Sequence, residues 1–205
     1  MERAPHELTE LAVALEYDVL AAVRSATTTT RALGRFRGTR PGILYGPSAD
    51  QIQVQGAYLR AVCITEAYVD AVSADIFDRQ IRAKDRLLRK LADSAIEQAE
   101  DTWPRRTAAF KRFHDIDIAT LQEYKDLAVA IVIRNAIAHG LGALTRRQRN
   151  AKTRAQIAAA GVSLKDDRLV LASGDLQTVC EQSVSFIRKV DSLLPPPPSR
   201  LRSIF

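Results

Sequence analysis

The chain has little cysteine: two residues, Cys63 and Cys180, in 205. Both fall in apolar, helix-spaced surroundings with no C-x-x-C pair and no histidine nearby. That excludes a zinc-ligand pattern and predicts two reduced, buried thiols. Long hydrophobic runs are missing too. The longest, 127–133, is far short of the roughly 20 residues that a membrane span requires, and Arg134 closes it. The first ten residues are polar and carry acids early, so no secretion signal is read there. No internal repeat is visible, and no motif asks for a metal or a cofactor. These absences lead us to expect a cytoplasmic protein with no membrane partner.

What is present is ordinary in bulk: 46% apolar and 26% charged residues, the balance of a soluble globular chain. The length is enough for one real core. We expect a single helical domain over 1–194, interrupted by a connector at 31–48, and a proline-rich flexible tail over 195–205. A net charge of +6 and a pI near 9.6 suit a polyanion partner, but where the charge lies matters more than its total.

Apolar spacing predicts a first helix over 7–27, on a stripe of Leu8, Leu11, Ala12, Leu15, Val19, Leu20 and Val23. The 31–48 connector is punctuated by Gly and Pro. It interleaves Arg31, Arg35, Arg37 and Arg40 with Phe36 and Tyr45, which is either a nucleic-acid contact or a solvated loop held down by its aromatics. A long helical region over 50–100 follows, as one helix or as two broken near 73–77. Ile52, Val54, Leu59, Val62, Cys63 and Ala67 begin its stripe, and Ile76, Ile81, Leu88, Leu91 and Ile96 continue it. Glu66 and Asp70 lie four apart on one face, so a positive group is expected near them. Asp101-Thr102-Trp103-Pro104 opens a short basic helix that ends at His114.

The centre of the chain is 120–140. Thr120 and Glu123 form a T-x-x-E box that predicts the start of a helix, and Gly140 suits its left-handed end. From Leu127 onward the helix is apolar nearly all round, the mark of a buried helix. Into it the sequence puts Arg134, Asn135 and His139, which are costly to bury without partners. Arg presents a permanently charged fork to phosphate, His moves protons near neutrality, and Asn holds an oxygen or fixes the imidazole. Together these groups suit metal-independent cleavage of RNA by its own 2′-OH. His139 would be base or acid, Arg134 would stabilise phosphoryl charge, and Asn135 would orient either partner.

Thr145 and Gln148 make a second box, predicting a helix over 146–160. It carries Arg146, Arg147, Arg149, Lys152 and Arg154 and no acid, and so is either a solvated face or a platform for a nucleic-acid backbone. Residues 162–171 read as a hairpin that must pack on helices, and 175–194 as a last amphipathic helix.

Arg134-Asn135-x-x-x-His139 resembles the R-x(4–6)-H motif of the HEPN superfamily, with Asn in the polar position that follows the Arg. The continuation through Leu141, Gly142, Ala143, Leu144, Thr145, Arg146, Arg147 and Gln148, then the hairpin and a closing helix, is similar to the RiboL-PSP-type HEPN branch. The resemblance can be laid over the whole chain and is most specific over 121–194. It implies an all-α bundle of four to six helices with a small C-terminal β-hairpin. It also implies a homodimer that sets two motifs across one cleft, endoribonuclease activity as a toxin or defence effector, and an antitoxin protein as a possible partner. An acidic residue on the preceding long helix, Glu66 or Asp70, would support the motif. Some HEPN toxins have Tyr two residues after the His; here that position is Leu141, so regulation through such a Tyr is not implied. Two other readings stand beside this one. The first is a non-catalytic HEPN module that binds nucleotide or RNA, or scaffolds a protein. The second is a buried structural network in which His139 caps the helix.

Overall fold

The computed structural model describes residues 6–34, 49–80, 86–99 and 101–195. Among them the chain forms seven α-helices and one two-stranded hairpin. The helices are α1 (Glu7–Gly34), α2 (Ala49–Gln80), α3 (Arg86–Ala99), α4 (Trp103–His114), α5 (Gln122–Gly140), α6 (Ala151–Ala159) and α7 (Ser173–Leu193). Strands β1 (Ser163–Lys165) and β2 (Arg168–Val170) pair antiparallel, with Leu164 opposite Leu169. The architecture is therefore an all-α bundle with a hairpin near the C-terminal end. No helix among the described residues is long and apolar enough to cross a membrane. The helical part of the expected connector, 31–34, belongs to α1, and 35–48 lies outside the described residues. Among the described residues, the 50–100 region holds α2, which runs unbroken through 73–77, and α3; 81–85 lie outside the described residues.

α1, α2, α5 and α7 share the core, and the faces that spacing selected on α1 and α2 turn inward with a small rotation: Ala12, Val19, Val23, Val62 and Ile76 are buried, while Leu11 and Ile52 are not. On α1, Leu11 is 57% exposed, while Thr9, Ala12, Val13, Glu16 and Val19 are buried. The rotation follows from polar partners supplied by other helices. Thr9 Oγ1 donates to Asp191 of α7 at 2.8 Å and lies 3.1 Å from the Tyr68 hydroxyl of α2. On α2, Ile52 is exposed, and the buried residues are Tyr58, Ala61, Val62, Thr65, Tyr68, Val69 and Val72. On α3, Leu88 and Leu91 are exposed.

Glu16 is a carboxyl fully inside this core. Thr65 Oγ1 donates to one oxygen at 3.4 Å, and the other oxygen makes no hydrogen bond of normal geometry among the described residues. Burial pushes its pKa up to about 8, against weaker opposing contacts from Cys180, Thr65 and Ser183. A folded pKa above the ordinary 4.5 means that the folded state holds the proton more tightly. The stability so contributed is full below about pH 4.5 and is lost as the pH rises through about 8. Glu16→Gln is expected to flatten that fall and to be the more stable protein at about pH 9, by on the order of a few kcal/mol. Urea midpoints at about pH 5, 7 and 9 check it.

α5 starts without its expected box. Residues Ile118–Thr120 wind into a 3₁₀ turn, Thr120 Oγ1 donates to the carbonyl of Asp117 at 2.8 Å, and Leu121 becomes the cap with no side-chain bond. The helix also ends one residue later than expected. Gly140 is still helical, and Leu141 takes the left-handed conformation at φ 50°, followed by Gly142 at φ 81°. Gly142 is needed for a second reason: a Cβ there would lie 2.7 Å from the Gln55 amide of α2. Leu141 is 79% exposed and gains little from burial to offset a conformation that costs a residue with a Cβ about 1–2 kcal/mol. Leu141→Gly is therefore expected to raise stability by about 1 kcal/mol, read as a higher denaturant midpoint at unchanged slope.

The hairpin holds this exit loop in place. Leu169 N–H donates to Gly142 O and Leu144 N–H donates to Asp167 O, both at 2.8 Å. Gln51 of α2 brackets Leu171, its amide donating to the carbonyl at 2.7 Å and accepting from the N–H at 3.0 Å. Asp166 and Asp167 both have positive φ, the geometry of the tight turn that matches strand twist.

Candidate active site at the end of α5

Arg134 leaves α5 toward α2 and is 24% exposed at its side chain. Its Nη2 donates to Glu66 Oε2 at 2.9 Å and its Nη1 donates to Asn135 Oδ1 at 3.1 Å. Cys63 Sγ lies 4.0 Å from Nη2, and the buried Nε–H has no partner among the described residues. Glu66 is itself braced: Trp103 Nε1–H of α4 donates to its other oxygen, Oε1, at 2.9 Å. The indole is buried and packed against Tyr124 and Phe186, with ring centroids 5.6 and 5.9 Å away, so the carboxylate is held from α4 as well as from α2. Glu66, Arg134 and Asn135 thus form one half-buried polar unit in which Arg134 and Glu66 neutralise each other.

His139 is not part of that unit. It is exposed and makes no hydrogen bond among the described residues. The three motif residues of this largely buried helix differ in exposure: the last turn of α5 emerges from the bundle, and Ala138 and His139 reach the surface. Arg134 and His139 sit roughly 140° apart around the helix, with Asn135 between them in angle.

Glu66 and Asp70 share a face of α2 but have different partners. Asp70 receives two hydrogen bonds from Arg106 of α4, both 2.7 Å, and Arg106 also stacks over Trp103 at 5.7 Å. The positive groups expected near the two acids are therefore Arg134 for one and Arg106 for the other. Arg106 and Trp103 were missed as site-supporting residues. The signal was available in the short basic helix placed directly after an aromatic, but not its direction.

The basic segment begins as a single turn. Gln148 Oε1 accepts from both the N–H and the hydroxyl of Thr145, at 3.1 and 2.8 Å, so part of the predicted box forms. The Gln148 amide then donates to Val132 O of α5 at 2.8 Å, tying this turn to α5 two helical turns before His139 on the same face. The helix itself starts at Asn150, whose Oδ1 accepts from Thr153 N–H at 2.9 Å. Its charge is less one-sided than the sequence implies, because Asp167 from the hairpin turn lies 2.9 Å from Arg154 and 3.7 Å from Arg149. Arg146, Arg147 and Lys152 are exposed and have no acidic partner among the described residues.

Cys180 is buried and Cys63 half-buried, both free. Among the described residues no group of three or more His, Cys, Asp or Glu side chains is placed to hold a metal ion. Comparison of the chain with protein-family models, curated proteins and solved structures finds no match.

Proposed function

We propose that the chain is a HEPN-type endoribonuclease acting as a homodimer, a toxin or defence effector that cleaves RNA without a metal ion. The observation that carries this reading is the division of labour on α5: a guanidinium fixed by Glu66 and Asn135, and beyond it an exposed imidazole with no hydrogen-bond partner among the described residues. A structural histidine is expected to have a partner, whereas a proton carrier must be open to substrate. Arg146, Arg147 and Lys152, exposed and without an acidic partner among the described residues, flank the turn that Gln148 ties to α5 and would supply charge for an RNA backbone.

In the reaction the 2′-OH attacks the adjacent phosphorus. One imidazole takes the 2′ proton as the 2′-O–P bond forms, and a second protonates the 5′ oxygen as the P–O5′ bond breaks. The products are a 2′,3′-cyclic phosphate and a 5′-OH. Arg134 stabilises the charge gathering on the phosphoryl oxygens, and Asn135 holds its fork. One protomer offers one exposed motif imidazole; a second copy across a twofold axis supplies the other. Incubation of purified protein with RNA in EDTA, with mapping of product ends, tests the reading. Cleavage that survives both His139→Ala and Arg134→Ala would place the activity elsewhere.

A further inference from the structure

We propose that the cleft between α5, α6 and α7 binds a nucleobase, and that it prefers bases with an amino group on the ring edge. The cleft has a volume of about 290 Å³, near the lower end of small-molecule sites at roughly 300 Å³. It does not rest on the motif: Val129, Ala130 and Ile133 line it from the flank of α5 roughly opposite Asn135 and His139.

Three features define the ligand. The walls are apolar and low in relief, formed by Val129, Ala130 and Ile133 on α5, Ala159 and Ala160 at the end of α6, and Val179 on α7. The rim is polar, with the amides of Gln156 and Gln182, which make no hydrogen bond among the described residues. At the back is Tyr58 of α2, 3% exposed, whose hydroxyl likewise has no partner among the described residues and is not sealed from the cleft. A hydroxyl that opens to a cleft and has no hydrogen-bond partner among the described residues can both donate to and accept from a ligand there. Apolar walls with a polar rim suit a flat molecule with apolar faces and polar edges. A sugar would leave the walls unmatched, and an alkyl chain would leave the rim unpaired.

The rim is richer in acceptors than in cations. Asp126 accepts from the Gln122 amide at 2.8 Å through one oxygen, and Asp175 accepts from Ala172 N–H at 2.7 Å through one oxygen. The second oxygen of each carboxylate remains, and Lys125 is the sole cation among the lining residues. A carboxylate accepts only, so the ligand edge must donate. Guanine, with adjacent ring N–H and amino donors, fits best; uracil, which has no amino group, fits worst.

The base could come from a free nucleotide or from single-stranded RNA, and both are tested. The full chain is titrated with guanosine, guanosine 5′-monophosphate, uridine and a short guanosine-containing oligoribonucleotide, followed by amide NMR shifts and calorimetry. The expected result is saturable shifts at Ala130, Ala159, Val162 and Val179, with guanosine binding several-fold tighter than uridine. Tyr58→Phe, which keeps the ring and removes the hydroxyl, and Asp126→Asn, at an exposed position, should each weaken guanosine about tenfold. Shifts from the nucleosides identify a free ligand, and shifts from the oligonucleotide alone identify RNA as the source of the base. His139→Ala should leave the binding unchanged, so loss of RNA cleavage and loss of base binding are separable. No shifts with any probe, equal binding of uridine and guanosine, or affinity untouched by both cleft variants would overturn the assignment.

Discussion

His139→Ala is expected to remove RNA cleavage by a factor of about 10²–10⁴ while leaving stability within about 0.5 kcal/mol of the parent. The first half follows from chemistry: without the imidazole, neither the 2′ proton nor the 5′ leaving oxygen has a carrier poised near neutral pH. The second half follows from position, because the side chain is exposed and makes no hydrogen bond among the described residues. Arg134→Ala should lose activity and stability together, since it leaves Glu66 half-buried without its cation. The pair of measurements therefore separates a reacting group from a structural one. Gel-resolved cleavage of a labelled RNA and urea denaturation of the same preparations give both numbers. An inactive His139→Ala that has also lost several kcal/mol would return the residue to a structural role.

Part of this site was readable from residue order, and the reason is physical. A polar group in an apolar helix interior is costly, so Arg134 and Asn135 stand out against Ile131, Ile133 and Ala136 without any structure. Glu66 was readable as an acid in need of a cation, because Asp70 four residues on makes the local charge unfavourable. Which cation it meets was not, since Arg134 and Arg106 come from helices whose relative rotation is a tertiary outcome. The same limit explains the exposed edges of the α1 and α2 stripes, Leu11 and Ile52. An apolar stripe on a long helix admits neighbouring rotations, and contacts from Tyr68 and Asp191 to Thr9 select one of them. Cap boxes failed for a related reason: Thr120 and Thr145 are both T-x-x-E/Q starts, yet each is used in a tight turn before the helix proper. An opening of the motif toward a cleft was implied by the resemblance; that His139 is its exposed member depends on where the bundle ends.

Glu66 and Asp70 give the second large expected effect. They sit one turn apart on α2, each paired with an arginine, and differ in what that arginine does. Asp70 and Arg106 are bonded twice and join α2 to α4, away from the exposed end of α5. Glu66 instead fixes the guanidinium assigned to phosphate. Glu66→Ala removes the acceptor of both Arg134 and Trp103, leaving one half-buried and one buried donor unmatched, and is expected to cost about 3 kcal/mol, less than the roughly 5 kcal/mol upper range because the ion pair is partly exposed. Glu66→Gln keeps an acceptor for the indole and loses the charge; it should cost less stability yet lower cleavage about tenfold or more by letting Arg134 swing. Asp70→Asn is expected to lose about 2 kcal/mol and to leave the rate per folded molecule unchanged. Rates scaled to the folded fraction from denaturation curves make the comparison. Equal losses of rate in Asp70→Asn and Glu66→Gln would mean that both acids act only through the seam of α2, α4 and α5, and Glu66 would no longer count as the group that positions Arg134.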